Sequence, residues 1–199
     1  MATIFEGVVS RPVTYSFGYH RATHDNMSYI IETDVSLDKP RSKNDLGLEF
    51  ISPPLSVGEM VTDIKKVIAW AKKTGCYTNK TCGLHINIST PSYSLAKLDC
   101  VKLILLSGDE HVLKEFGRLS SQYARNVRAK LISKIENEID YAVTFLLNKL
   151  HTGMDTIASQ LLISTSNIEN TSIWPKDDRV EFRSVGGDWL NISVNRLEK

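Results

Sequence analysis

Three short segments of the chain place polar and charged side chains at alternate positions of β-type runs. They read LGLEFISPPL over residues 46–55, CGLHINIS over 82–89 and RVEFRSVGG over 179–187. Successive side chains of a strand point to opposite faces of the sheet, so the apolar residues share one face and the polar residues share the other. The polar face collects Glu49, His85, Asn87, Glu181 and Arg183. Carboxylates, an imidazole and a guanidinium on one face are typical of a site that binds a metal ion and an anionic ligand.

The composition is that of an ordinary globular chain. Its 199 residues are 42% hydrophobic and 24% charged, which predicts one domain over residues 1–199 with a full core. The formal net charge of +1 creates no general field, so we expect neither nucleic acid nor a membrane as a partner. Cys76, Cys82 and Cys100 lack the spacing of a zinc site or a disulfide framework, which favours reduced thiols and a cytoplasmic location.

Hydrophobic periodicity and turn residues predict strands that alternate with helices. Ser56 and Glu59 have the spacing of a capping box, which predicts a helix from there to about Thr74. The other predicted elements are β-like pieces within 1–24, a strand over 27–33, a helical region from about Ser94, a long helix over 120–150 and a β-like segment over 157–168. This order favours an α+β domain whose helices cover one face of a mainly antiparallel sheet. The other face is then left for chemistry.

The predicted long helix carries an apolar stripe at helical spacing. Such a stripe predicts the face that packs against the sheet as part of the core. Its members are Tyr123, Val127, Leu131, Ile135, Ile139, Val143, Leu146 and Leu150.

The three polar-faced segments also resemble the motifs of one protein family. The first is similar to an E-x-x-S-P-P-L run, the second to a C-G-x-H-x-H strand and the third to an E-F-R strand of the amidoligase family found in phages and bacteria. Weaker similarities lie at 34–37, 117–118 and 123–124, and the resemblance covers roughly residues 28–187. It implies the carboxylate-amine ligase superfamily of glutamine synthetase and glutamate-cysteine ligase, and a glutamine-synthetase-like catalytic domain.

The resemblance implies an ATP- and magnesium-dependent ligase. Such an enzyme activates a small-molecule or peptide carboxylate as an acyl phosphate, which an amine then attacks to form an amide or peptide bond. By this resemblance Glu49, His85 and Glu181 bind the metal, His85, Asn87 and Arg183 bind the nucleotide, and Glu181 and Arg183 are catalytic. Magnesium prefers hard oxygen ligands, and the permanently charged guanidinium of Arg183 suits a transferred phosphoryl group. The chain has no Gly-rich lysine loop of the P-loop type, which excludes that route to ATP.

The chain departs from the family pattern at two points. No E-x-E pair precedes Asp34, and Asn87 replaces the second histidine of H-x-H. Two function classes therefore remain open: an active ligase, and an inactive descendant that serves as a structural or protein-binding module, for instance in a phage assembly. A third reading places the first strand of the fold in another chain or attributes its absence to truncation. A phage-encoded protein would work in the host cytoplasm or in the virion.

Each candidate residue also has a structural interpretation. Glu49 and Arg183 could form an ion pair on a half-exposed sheet, and His85 could be an ordinary hydrogen-bonded histidine. Arg118 and Arg128 are interpreted as solvated helix charges.

Overall fold

The computed structural model describes residues 2–18, 25–39, 42, 44–121, 124–139, 150–163, 171–186 and 189–191. The helices are α1 (Ala2–Val9), α2 (Val57–Lys73), α3 (Cys100–Leu106), α4 (Asp109–Glu115), α5 (Val127–Ile139) and α6 (Leu150–Ile163), with short 3₁₀ turns at Leu95–Lys97 and Trp189–Asn191. The strands are β1 (Val13–Ser16), β2 (Tyr29–Thr33), β3 (Leu48–Ile51), β4 (Gly83–Ile88), β5 (Ile173–Pro175) and β6 (Val180–Gly186). The chain forms two compact units, Met1–Cys82 with Leu190–Lys199, and Gly83–Trp189.

The first unit is built on a three-stranded sheet in the order β1-β2-β3. Strand β2 pairs in parallel with β1 and antiparallel with β3. Helices α1 and α2 supply the rest of the core, which contains the buried side chains of Phe5, Val9, Tyr29, Ile31 and Val67. The predicted strand over 27–33 is confirmed over its last five residues, Tyr29–Thr33. The β-like prediction for the N-terminus is wrong over 2–9, because this apolar run places Phe5 and Val9 one helical turn apart against the core.

The capping box predicted from the sequence opens α2. The Ser56 side chain accepts from the backbone N–H of Glu59, and the Glu59 carboxylate accepts from the backbone N–H of Ser56. These reciprocal bonds satisfy donors that the first turn of a helix leaves unpaired. Gly75, with φ of +78°, follows the helix in the left-handed conformation that glycine adopts at low cost.

The second unit is built on an antiparallel sheet in the order β4-β6-β5. One face of this sheet packs against α3, α5 and α6 around a buried cluster of Cys100, Ile104, Val127, Leu131, Ala158, Leu161, Leu162, Ile173 and Val180. The stripe prediction is confirmed at Val127 and Leu131, and its other members lie outside the described side chains. The β-like prediction over 157–168 is wrong over 157–163, which is helical, because a short apolar run does not distinguish a buried strand from a buried helix.

The predicted α+β class is confirmed, but the predicted arrangement of strands is wrong. The described strands form two small sheets rather than one mainly antiparallel sheet, and the first sheet contains a parallel pair. Whether residues 1–199 act as a single domain stays a prediction. Among the described residues, no helix combines the length and the apolar character that crossing a membrane requires.

Candidate functional site

The antiparallel pairing of β4 and β6 brings three of the predicted site residues together. Asn87 lies directly opposite Glu181, and directly opposite residues of an antiparallel pair project from the same face. His85 is two residues before Asn87 and shares that face. The opposite face carries Ile86 and Phe182, and Phe182 packs against the core cluster. The alternation read from the sequence therefore sorts these side chains correctly.

The pairing is interrupted by a bulge at the centre of this face. Leu84 pairs with Val185 while Ile86 pairs with Phe182, so β6 uses one more residue than β4 between these pairs. The extra residue lies at Arg183 and Ser184, opposite His85. Bulges change the direction of side chains and are frequent beside functional sites.

Glu181 is only 5% exposed, and it lies at the centre of a network of ion pairs. His85 Nδ1 lies 3.0 Å from Oε1, and Lys176 Nζ lies 2.8 Å from Oε2. Burial raises the pKa of the Glu181 carboxyl. The hydrogen bond from His85 and the ammonium of Lys176 lower this pKa by more than burial raises it, and the result is a pKa of about 2. The carboxylate is therefore ionised at neutral pH inside a largely buried setting.

Acid is expected to remove the stabilisation that this network provides. The pKa of Glu181 lies below its ordinary value of 4.5 in the folded chain, so the contribution is complete above about pH 4.5 and disappears as the pH falls through about 2. A shift of this size corresponds to on the order of 3 kcal/mol. Urea unfolding between about pH 5 and about pH 2 measures it. We expect Glu181→Gln to make stability less dependent on pH over this range, and an unchanged pH dependence would contradict the assignment.

Three further residues that the sequence interpretation missed surround this network. Arg179 Nε donates to Asn87 Oδ1 over 2.9 Å, and the exposed Trp174 lies directly opposite Glu181 on β5. The Trp174 ring centroid is 5.0 Å from Lys176 Nζ and 5.9 Å from Arg183 Cζ. The face of the second sheet that carries His85, Asn87 and Glu181, called the site face below, therefore also carries basic and aromatic side chains that the sequence analysis did not predict. These residues lie close to Glu181 because β5 and β6 form a hairpin, and its register places Trp174 directly opposite Glu181.

Arg118 is part of this face, and its interpretation as a solvated helix charge is wrong. Helix α4 ends through Gly117, with φ of +64°, and the Arg118 backbone N–H then bonds to Leu113 O over 2.7 Å. The residue is only 6% exposed, and Nη1 donates to the carbonyls of Arg183 and Val185 over 3.0 and 3.2 Å. The guanidinium therefore binds the carbonyl groups that flank the bulge in β6.

Two glycines make room for this guanidinium. Gly83 and Gly186 are directly opposite each other on β4 and β6. A Cβ atom on Gly186 would lie 1.8 Å from Arg118 Nη1, and one on Gly83 would lie 3.3 Å from Nη1 and 3.4 Å from His85 Nε2. The arginine and the imidazole thus approach the same glycine, which places Arg118 beside His85.

Glu49 lies in the first unit, on β3. It is directly opposite Glu32 on β2, and Glu32 is fully buried. Both carboxylates project from the same face of the first sheet, and the sequence interpretation did not include Glu32 among its site residues. The predicted single sheet face is therefore wrong for Glu49, because β3 belongs to a different sheet from the β4 and β6 strands that carry His85, Glu181 and Arg183. That these residues form one site stays a prediction.

The described residues around Glu181 do not form a ligand set for a divalent cation. Within the described ranges, no group of three or more His, Cys, Asp or Glu side chains is arranged to hold a metal ion. Glu181 is a single carboxylate, and its Oε2 is already 2.8 Å from the Lys176 ammonium. Magnesium prefers several hard oxygen ligands, whereas this face offers one carboxylate among basic side chains. His85 fits no better, since Nδ1 is used by Glu181 and Nε2 is near the Arg118 cation.

Comparison with known proteins identifies a family. A family model described as "Putative amidoligase enzyme" matches residues 2–151. The match includes Glu49 and His85 and ends before Glu181. No curated protein and no solved structure matches the chain.

Proposed function

Because the chain belongs to the amidoligase family, we propose that it is an ATP- and magnesium-dependent ligase that joins a carboxylate to an amine through an acyl phosphate. Family membership supports the ligase class. The observation that carries the choice of site is the buried, ionised Glu181, with His85 and Lys176 bound to it. A buried charge with specific partners beside an open face is a frequent property of functional sites.

The basic groups around Glu181 suit a phosphate-bearing substrate. Lys176 and Arg183 both lie near the Trp174 ring, and Arg179 holds the amide of Asn87. A guanidinium can form paired hydrogen bonds to phosphoryl oxygens and keeps its charge at every physiological pH. We assign Arg183 to the charge that develops on the transferred phosphoryl group, where fixed cations contribute most to rate. His85 orients the Glu181 carboxylate through its hydrogen bond to Oε1.

The proposal also includes a bound magnesium ion and a glutamine-synthetase-like fold. By the family resemblance, Glu49, His85 and Glu181 are the proposed magnesium ligands, and magnesium would neutralise phosphate oxygens when bound. The proposed fold is a glutamine-synthetase-like catalytic domain. The three motif segments form strands β3, β4 and β6 in the order that the resemblance implies, which supports this proposal. The substrates are a small-molecule or peptide carboxylate and an amine.

A second function is favoured because the polar atoms of the site already contact other side chains of the same chain. Both carboxylate oxygens of Glu181 contact a basic side chain, and the Asn87 oxygen is bound by Arg179. Closed ion networks of this kind also occur in proteins that do no chemistry. The alternative is thus an inactive amidoligase-like module that binds another protein. Phage origin and a location in the host cytoplasm or the virion stay predictions.

Calorimetric titration with a non-hydrolysable ATP analogue tests the ligase proposal. We expect binding with magnesium and none in chelator, because the phosphates and the carboxylates repel each other without a cation. Glu181→Ala should abolish binding. Arg183→Ala should reduce turnover more than binding, since its proposed partner is transition-state charge.

The matched control is Arg128→Ala, because the Arg128 side chain is half exposed and is 4.0 Å from Glu110 on α4. We expect this variant to bind the analogue as the unaltered chain does. A well-folded sample that binds no analogue at millimolar concentrations of analogue and magnesium would contradict the ligase proposal and favour the inactive module.

A further inference from the structure

Trp174 is an exposed aromatic residue on the polar site face. It is 43% exposed on β5 and lies directly opposite the buried Glu181 on β6. Its neighbours on β5, Ile173 and Pro175, are buried, because alternate residues of a strand point to opposite faces. Packing in the core therefore does not explain why an indole ring occupies this position.

Two cations flank the Trp174 ring along the direction of the strand. The Arg183 backbone N–H donates to Ser172 O over 2.7 Å, and the Lys176 backbone N–H donates to Arg179 O over 2.7 Å. These bonds continue the register of the hairpin, so Arg183 lies beside the residue two before Trp174, whereas Lys176 lies two residues after it. The ring centroid is 5.9 Å from Arg183 Cζ and 5.0 Å from Lys176 Nζ. The indole thus lies between the two positive groups.

Contact with the ring restricts both long side chains. The face of an aromatic ring attracts a cation, and tryptophan does so most strongly. Lys176 has two further contacts, since its Nζ is 2.8 Å from Glu181 Oε2 and its backbone carbonyl accepts from Tyr93 OH over 2.9 Å. Lys176 is thereby held at its backbone, by the ring and at its ammonium.

We propose that Trp174 is a positioning residue for nucleotide binding, and that its ring holds Lys176 and Arg183 so that both contact the phosphate chain of one ligand. The inference rests on the proposed function, in which the site face binds a nucleotide. Linked phosphates present several anionic groups in a row, which suits two cations held on either side of a ring. Cations that are already in place lose less side-chain freedom when the ligand binds, so the binding is tighter.

The first test measures the Lys176 side chain directly and needs no ligand. An amine-reactive ester labels lysines, and peptide mass spectrometry gives the rate at Lys176 relative to Lys66 in the same sample. Lys66 is a suitable reference because its side chain is 43% exposed and its Nζ lies 3.9 Å from the carboxylate of Asp63. We expect Trp174→Leu to raise the relative rate about threefold or more, and Trp174→Phe, which keeps an aromatic ring, to change it by less than about twofold.

The second test compares two phosphate ligands in the presence of magnesium. Calorimetry gives the Kd of the non-hydrolysable ATP analogue and of inorganic tripolyphosphate, which has a phosphate chain and no base. We expect Trp174→Leu to raise the Kd of both ligands by about tenfold, and Trp174→Phe to raise it by much less, because the loss falls on the cations that contact the phosphates. Phe17→Leu is the matched control, since Phe17 is an aromatic residue that is 83% exposed outside the second sheet. It should change neither Kd.

The outcomes distinguish this inference from the ligase proposal. A weaker ATP analogue with unchanged tripolyphosphate binding would overturn the inference, because the ring would then contact the base. An unchanged Kd in Trp174→Leu, or an unchanged labelling rate at Lys176, would overturn it while the ligase proposal stands. If the unaltered chain binds neither ligand, the ligase proposal and the role in nucleotide binding both fail, and the labelling ratio then reports only whether the ring holds Lys176.

Discussion

Arg118→Met is expected to lower the free energy of unfolding by about 3 kcal/mol, because it removes two charge-assisted hydrogen bonds to carbonyl groups of β6. Arg118 is only 6% exposed, and its guanidinium donates to the carbonyls of Arg183 and Val185. Methionine fills much of the same volume but donates nothing, so both carbonyls lose that partner. The loss falls on the strand that carries Glu181 and Arg183. We therefore expect weaker binding of the ATP analogue as well as lower stability.

A double-mutant cycle with Gly186 separates this role from general packing. Gly186→Ala places a Cβ atom 1.8 Å from Arg118 Nη1, so the guanidinium must leave its carbonyl partners. Most of the damage done by Gly186→Ala should therefore disappear when Arg118 is already methionine. Urea unfolding of the two single variants and the double variant measures the coupling. Additive losses would contradict the assigned contact, and Arg128→Met serves as the control for removal of a charge.

The site residues that could be predicted from the sequence are those whose placement depends on a few neighbouring residues. Strand alternation places His85 and Asn87 on one face of β4 and Glu181 on the matching face of β6, because side-chain direction has a period of two residues. The capping box at Ser56 is local in the same way, since its hydrogen bonds join residues three apart. Such features follow from a few neighbouring residues, and the structure confirms them.

The missed residues depend on contacts between distant parts of the chain. Arg118 meets β6 across 65 residues of sequence, and Asn87 meets Arg179 across 92. The bulge in β6 is a mismatch between two strands, so neither strand shows it alone. Helix α1 was missed for a related reason: its apolar run is compatible with either structure until the sheet beside it is known. Pairing register, rather than residue type, decides these cases.

The core beneath the site face is expected to be the most sensitive part of the second unit. Leu131→Asp should lower the free energy of unfolding by roughly 4 kcal/mol or more, combining the loss of buried apolar contacts with the burial of an unpaired carboxylate. Leu131 is 1% exposed and belongs to the cluster that joins α3, α5 and α6 to β5 and β6. Its loss should therefore destabilise the strands that carry the site face.

The neighbouring residue provides a matched control for this substitution. Ile132 is 42% exposed on the same helix, so Ile132→Asp introduces the same carboxylate with the same helix propensity but leaves it in water. We expect its effect to stay below about 1 kcal/mol. Urea unfolding and the Tm of both variants make the comparison. Equal effects at the two positions would show that α5 does not pack its Val127 and Leu131 face into the core, and the support for the site strands would have to come from elsewhere.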